Sequence, residues 1–337
     1  MGILYVVVAI VFVALVIVNL TWLGINLYHW AINGLQFLLQ EMNFVERVYF
    51  SIYLKWILLA DAIFLLGVLS FAIARKHYKT DPRLHYLKHE PIQNPSTCVI
   101  IPTYNEEKII ENVVKDFKSQ EHVKYVIVID NNSSDNTVSI AERCGAKVLK
   151  NQKNMGMAYS CVKGFSESLK TDTNIVVLVE GDGTCNGYDL RKMVPYLDNC
   201  DMVVGTRQLQ VLSEKGNQNK MSYVWANYYL AKLIQIKFFS LLHRGVINFT
   251  DVGCTYRAIR KESLSKIIDK FYDPNGKVVP GLEFTAFMSI ISLQKNLRII
   301  EVPVSFKKRI GFSKTGSDKG VKALKIGWKY IWCILST

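Results

Sequence analysis

The chain has 337 residues with 41 Lys and Arg against 28 Asp and Glu, a formal net charge of +13, and half of its residues are apolar. Its mean hydropathy of +0.15 is too high for an ordinary soluble enzyme and too low for a polytopic channel, so a soluble domain joined to a small membrane part is expected. The basic excess calls for an anionic membrane surface or phosphorylated substrates, no nucleic-acid motif is present, and seven cysteines without a Cys-x-x-Cys pair argue against a disulfide framework or a zinc site and for free thiols in a reducing compartment.

The first expected element is a membrane span over about residues 3–27, a run with no formal charge. It exceeds the roughly 20 residues a bilayer crossing needs. It lacks the basic start of a signal peptide and is too long for one. A second span is expected over about 50–74, with its apolar run from Trp56 to Ala74 and Lys55 able to snorkel at one end. Asp61 lies within two turns of that run's start and can reach the interface. Arg75, Lys76, His77, Lys79 and Arg83 follow the second span, whereas Arg47 is the basic residue between the spans. The positive-inside rule then puts everything from about residue 76 onward in the cytosol, at the plasma membrane or endoplasmic reticulum. Residues 76–96 read as a basic linker.

From 97 to 206, short β-branched runs alternate with helical patterns. Strands are expected at 97–102, 125–130, 147–149, 175–179 and 202–205. Helices are expected near 106–117, 137–144, 158–169 and 188–197. This order predicts an α/β domain with an open, mostly parallel sheet flanked by helices, over about 97–317. Such sheets bind ligands at the carboxyl ends of their strands. Three strands end in polar clusters: Pro102 to Glu107, Asp130 to Thr137, and Glu180-Gly181-Asp182-Gly183-Thr184. Asp130, directly at a strand end, is placed to accept hydrogen bonds from a nucleobase or ribose. Ser134 or Asp135 could instead cap the next helix. Glu180 and Asp182 alternate on an extended segment and so share one side. Two such carboxylates suit a hard cation, Mg2+ or Mn2+, whose other ligands are water and phosphate oxygens.

These strand ends, in this order, resemble family 2 glycosyltransferases with the Rossmann-like GT-A fold. The narrower likeness is to the dolichol-phosphate mannose synthase-like, polyprenyl-phosphate glycosyltransferase branch. The resemblance covers about two thirds of the chain. Its motifs are Ile101-Pro102-Thr103-Tyr104-Asn105-Glu106-Glu107, Asp130 through Thr137, Asn154-x-Gly156-x-Ala158 and Glu180-Gly181-Asp182. Further along come Gly205-Thr206-Arg207, Asp251 through Arg257, Glu301-Val302-Pro303-Val304 and Arg309-x-Gly311-x-Ser313-Lys314.

The resemblance implies donor contacts from Pro102, Tyr104, Glu106, Asp130, Asn132, Gly156, Asp182, Arg309 and Lys314. It implies acceptor-phosphate contacts from Arg207, Arg257 and Ser313, with Arg244 a further candidate or else a charge at a helix end. Asp182, Arg257 and Asp251 are the expected catalytic residues, and Glu180, Asp182 and Thr184 the expected metal ligands. Departures are Glu180 where Asp is usual, Thr184 as a weak third donor, and Met157 where a basic residue is common. No Gln-x-x-Arg-Trp is present, against a processive polysaccharide synthase.

The implied reaction moves a sugar from a GDP- or UDP-linked donor to a polyprenyl or dolichyl phosphate by metal-assisted inverting displacement. A different lipid or glycan acceptor, or an inactive membrane-tethered protein that binds nucleotide sugar, are the alternatives. Residues 311–320 read as a loop closing over the donor or as an ordinary surface loop. Residues 223–242 read as an interface or a core helix. Residues 318–337 read as an amphipathic helix at the membrane interface, with Lys322, Lys325 and Lys329 on one stripe beside Trp328, Tyr330 and Trp332.

Overall fold

A computed structural model describes residues 87–207, 221–238, 249–310 and 320–337, with scattered positions between 10 and 66. The chain divides into two compact units, residues 1–79 with 236–246, and 80–235 with 247–337. In the first unit the described positions are helical, and Asn19 and Thr21 return hydrogen bonds to the carbonyls of Leu15 and Ile17 four residues back. Among the described residues no helix is long and apolar enough to cross a membrane. Most of the two expected spans, and linker residues 76–86, lie outside the described residues.

The second unit is built on seven strands: β1 (Thr97–Thr103), β2 (Val123–Asp130), β3 (Lys147–Lys150), β4 (Ile175–Leu178), β5 (Met202–Thr206), β6 (Arg257–Arg260) and β7 (Ile299–Pro303). Helices α1 (Ile110–Lys118), α2 (Thr137–Arg143), α3 (Met157–Ser168), α4 (Leu190–Tyr196) and α5 (Met221–Phe238) alternate with or follow the first five strands. α6 (Lys261–Ser265), α7 (Phe284–Gln294) and α8 (Gly320–Ser336) complete the set. The strand order is β3-β2-β1-β4-β6-β5-β7.

β1 is central and every one of its residues is buried, as its unbroken apolar run requires when helices cover both faces. Alternate residues face opposite ways. Val99 and Ile101 join a cluster with Ile110, Val113, Val114 and Phe117 of α1. On the opposite face α3 lies so close that a Cβ on Gly164 would stand 2.3 Å from Cγ2 of Ile100, so only glycine fits. Phe165 of α3 continues that layer against Phe271 and Phe284.

The sheet is mostly parallel, as the alternating pattern predicts, but β6 runs antiparallel to both β4 and β5. The sequence reading treats 251–257 as a motif and assigns no strand at 257–260. The reversal matters for the site. It brings the residues preceding β6 to the carboxyl ends of β4 and β5, where ligands bind. Leu178 pairs with Arg257, so two residues further along the same register Glu180 meets Thr255.

α8 is fastened to α7. The Tyr330 hydroxyl bonds Thr285 at 3.1 Å and the carbonyl of Leu282 at 3.0 Å, and Gln294 donates to the carbonyl of Thr337 at 2.8 Å. Cys333 and Ile334 are buried, while Lys325, Trp328, Lys329 and Trp332, at helical spacing, are exposed. α5 buries Leu230, Ala231 and Ile234 and exposes Tyr228 and Tyr229, with Lys232 over the Tyr228 ring, so it combines the core and exposed faces weighed for residues 223–242.

Candidate active site

The loops that follow β1 and β2 are stitched together. Asn105 adopts a positive φ of 53°. Its amide donates to Ser133 Oγ at 2.8 Å, and its side-chain oxygen accepts from the Ser134 amide at 2.8 Å. The Glu106 amide donates to Thr137 Oγ1 and the Glu107 amide to Asp135. Asp135 also accepts from the Thr137 amide at 3.1 Å, which satisfies the first amide of α2, although the cap position itself is Asn136 and makes no side-chain cap bond.

Asp130 faces inward rather than outward from the strand end. It is fully buried and turned into its own loop, where its carboxylate accepts from the Ser133 amide at 3.0 Å. The strand end that makes it look outward-facing is followed by a tight turn, and the unpaired amide of that turn claims the carboxylate first. Asn132, exposed at φ 67°, is the outward polar residue here. Asn131, which the sequence reading passes over, joins two loops. It donates to Asn154 at 2.8 Å and accepts from Asn151 at 3.1 Å and from the Met155 amide at 2.8 Å. That network sets the turn at Gly156, whose φ of 86° favours glycine and which precedes α3. Pro102 is buried at the end of β1 and Tyr104 is half-buried beyond it.

Beyond β4 the carboxylates gather. Asp182 is buried; its Oδ1 accepts from the Thr184 amide at 3.0 Å and the Thr184 hydroxyl at 2.7 Å. Thr184 therefore steadies Asp182 rather than presenting a free hydroxyl of its own to a metal. Thr255 donates to Glu180 Oε1 at 2.6 Å. Burial, and then the charge of Asp182, push Glu180 up to about 7, against the pull of Thr255 and Arg309. Among the described residues no group of three or more His, Cys, Asp and Glu is placed to hold a metal ion. The pair Glu180 and Asp182 still fits a divalent cation: two coupled carboxylates carry a repulsion that such an ion relieves, with phosphate and water as its remaining ligands.

The segment after β7 folds back over these groups. The Ser305 amide donates to Asp189 at 2.7 Å and the Lys307 amide to the Thr184 carbonyl at 2.7 Å. This delivers Arg309 between two acids. Its Nε lies 3.5 Å from Asp182 and its Nη2 lies 3.6 Å from buried Glu106. The Nε is buried and makes no hydrogen bond. Its charge is paired with both carboxylates at distances too long for a hydrogen bond from its Nε.

On the neighbouring strands Arg207 is closed. Its Nε and Nη2 bond the two oxygens of Asp251 at 2.7 and 2.8 Å, and its guanidinium lies over the Phe306 ring. Burial works against the charge of Asp251, but the Arg207 charge and bonds hold its carboxyl below the ordinary range. Asp251 in turn donates its amide to Glu301 at 3.1 Å, a carboxylate that burial raises. The single acid in the apolar run of β7 is the sequence signal for that support. Arg257, expected as a phosphate contact, is buried, and its Nη2 has no hydrogen-bond partner. It is 1% exposed and donates to the Cys254 carbonyl and Ser289 Oγ, so it braces the segment from beneath. Arg244, Ser313 and Lys314 lie outside the described residues.

The model of the family described as Glycosyl transferase family 2 matches residues 98–268. Protein RfbJ of Shigella flexneri is 39% identical over 128 residues, which cover 36% of this chain and 89% of that protein. The polyprenol monophosphomannose synthase of Mycolicibacterium smegmatis is 25% identical over 231 residues, 66% of this chain and 82% of that one. Among solved structures, glucosyl-3-phosphoglycerate synthase from Mycobacterium tuberculosis, in complex with Mn2+, UDP and phosphoglyceric acid, aligns with a TM-score of 0.51 at 16% identity. That alignment covers 71% of this chain and 78% of that one, a likeness of fold: a mixed sheet with flanking helices of the GT-A type.

Proposed function

The chain belongs to glycosyl transferase family 2 and is a glycosyltransferase, and from that premise we propose that it moves a sugar from a nucleotide-diphosphate donor to a polyprenyl or dolichyl phosphate. The observation that carries the reading is the charge cluster beyond β4, where Arg309 forms ion pairs at 3.5 Å with Asp182 and at 3.6 Å with Glu106 and its Nε makes no hydrogen bond. A nucleoside diphosphate brings negative charge that such an arginine can take up bidentately.

Glu180 and Asp182 would hold Mg2+ or Mn2+, which supplies positive charge against the diphosphate. In the displacement an oxygen of the lipid phosphate attacks the anomeric carbon with inversion. The bond from that carbon to the diphosphate oxygen breaks, and the nucleoside diphosphate leaves with the electron pair. The nucleophile is already an anion, so no strong general base is required. Arg309 meets the charge that grows on the leaving group, and preorganised charge of this kind is often the largest catalytic contribution. Arg207 faces the acceptor phosphate, and Asp251 is its positioning partner rather than a catalytic group.

The acceptor class rests on three supports: the activity for which the mycolicibacterial relative is named, the apolar N-terminal runs, and α8. Ile10, Ile17, Leu20, Trp56, Leu59 and Leu66 are apolar residues exposed on helical positions, a surface suited to lipid. The outward stripe of Lys325, Trp328, Lys329 and Trp332 suits an anionic interface. In this reading the protein is integral to the membrane and its catalytic domain is cytosolic.

The test is incubation of the full chain in detergent with polyprenyl or dolichyl phosphate, Mg2+ or Mn2+ and a panel of GDP- and UDP-sugars. The expected product is lipid-linked sugar by mass spectrometry, absent with Asp182→Ala. Product on a diacylglycerol or glycan alone would replace the acceptor. Donor binding without transfer to any acceptor would replace the enzyme with a tethered binding protein.

A further inference from the structure

The longer arm of Glu180 has a partner that reaches it from another strand. Thr255 stands on the segment before β6, 75 residues away in sequence, and its hydroxyl donates to Glu180 Oε1 at 2.6 Å. The antiparallel register of β4 and β6 places the two residues opposite each other. Thr255 is buried, so no bulk water competes for the bond. The same segment holds Asp251, which closes on Arg207. An aspartate, one methylene shorter, would fall short of this hydroxyl with the backbone unmoved.

We infer that Thr255 is a positioning residue for the cation carboxylates: it fixes the Glu180 side chain through one oxygen and leaves the other for a divalent ion shared with Asp182. The inference rests on the cation reading above. A carboxylate of this length has three rotatable side-chain bonds, and without a partner it samples settings that do not converge with Asp182. The hydroxyl is an outer-shell partner of a kind whose removal typically costs about 10- to 100-fold in metal affinity. The bond also makes one short segment responsible for both the donor carboxylate and the acceptor arginine.

The experiment is Mn2+ titration of the full chain in detergent, in the presence of UDP or GDP, followed by the electron paramagnetic resonance of free Mn2+. Wild type and Asp182→Ala establish whether a carboxylate-dependent site exists. Thr255→Val, which keeps the side-chain shape, is expected to weaken Mn2+ binding about 10-fold or more, and Thr255→Ser to restore it. In a Glu180→Asp background, Thr255→Val is expected to change nothing further, because the bond is already gone. Thermal unfolding of each variant separates loss of the site from loss of the fold. Equal Mn2+ affinity for Thr255→Val and wild type, with Asp182→Ala silent, would overturn this inference and leave the proposed reaction standing. No Asp182-dependent Mn2+ binding in wild type would overturn both the inference and the cation reading.

Discussion

Arg207 and Arg309 each stand beside carboxylates at the carboxyl edge of one sheet, and they are held in opposite ways. Arg207 is clamped by both oxygens of Asp251 at 2.7 and 2.8 Å, under a second layer in which Glu301 accepts the Asp251 amide. Arg309 pairs more loosely, at 3.5 Å with Asp182 and 3.6 Å with Glu106, and its Nε makes no hydrogen bond. A closed, bidentate buried pair fixes geometry, and breaking it leaves a charge that low-dielectric surroundings penalise. An arginine paired with acids by charge but not hydrogen-bonded through its Nε keeps that donor for a ligand. The β5–β7 side is thus built as a scaffold that presents one arginine, while at the β4 edge the arginine is held by longer ion pairs.

The sharpest way to break this contrast is on the scaffold side. Asp251→Ala is expected to destabilise the domain by about 3–5 kcal/mol, the usual cost of orphaning a buried partner, measured as a lower denaturant midpoint. The pH dependence follows the same pair. Because Asp251 is depressed in the fold, its contribution is complete above its unfolded value near 4 and is lost as pH falls through the lower folded value. Stability of the wild type should therefore fall below about pH 4 more steeply than that of Asp251→Asn. On the loosely paired side, Arg309→Ala is expected to cut kcat/KM for sugar transfer about 100-fold, with the denaturant midpoint nearly unchanged. A large loss of stability there would make Arg309 another scaffold residue and erase the contrast. The smallest effect belongs to α8, whose exposed lysines touch neither region. Lys325→Gln with Lys329→Gln should weaken co-sedimentation of the detergent-free domain with phosphatidylserine vesicles by about 1 kcal/mol per lysine, and leave transfer to a short-chain, water-soluble acceptor unchanged.

The β-branched runs that become β1 to β5 are legible because a buried strand needs a short apolar run wherever it lies in the sheet. The helices between them follow from period 3.6, so α1 to α3 fall within a few residues of their expected positions. The polar clusters after β1, β2 and β4 were readable for the same reason: polarity after an apolar run marks a strand end. β6 was not readable, since four residues enclosed by Arg257 and Arg260 carry no alternation. Its direction depends on neighbours far along the chain.

The sequence by itself determined which residues could do chemistry: four arginines and lysines in matched motifs, and the acids Glu106, Asp130, Glu180, Asp182 and Asp251. Only the tertiary structure decided their fates. It buried Arg257 beneath Cys254 and Ser289, turned Asp130 into its own loop, closed Arg207 on Asp251 and left Arg309 in longer ion pairs. The physical reason is that backbone periodicity is set by neighbours a few residues away, whereas an ion pair is set by register. Asp251 and Arg207 are 44 residues apart, and Thr255 and Glu180 are 75 apart. Which charged groups meet is fixed when β6 enters the sheet in reverse, and no local pattern carries that information.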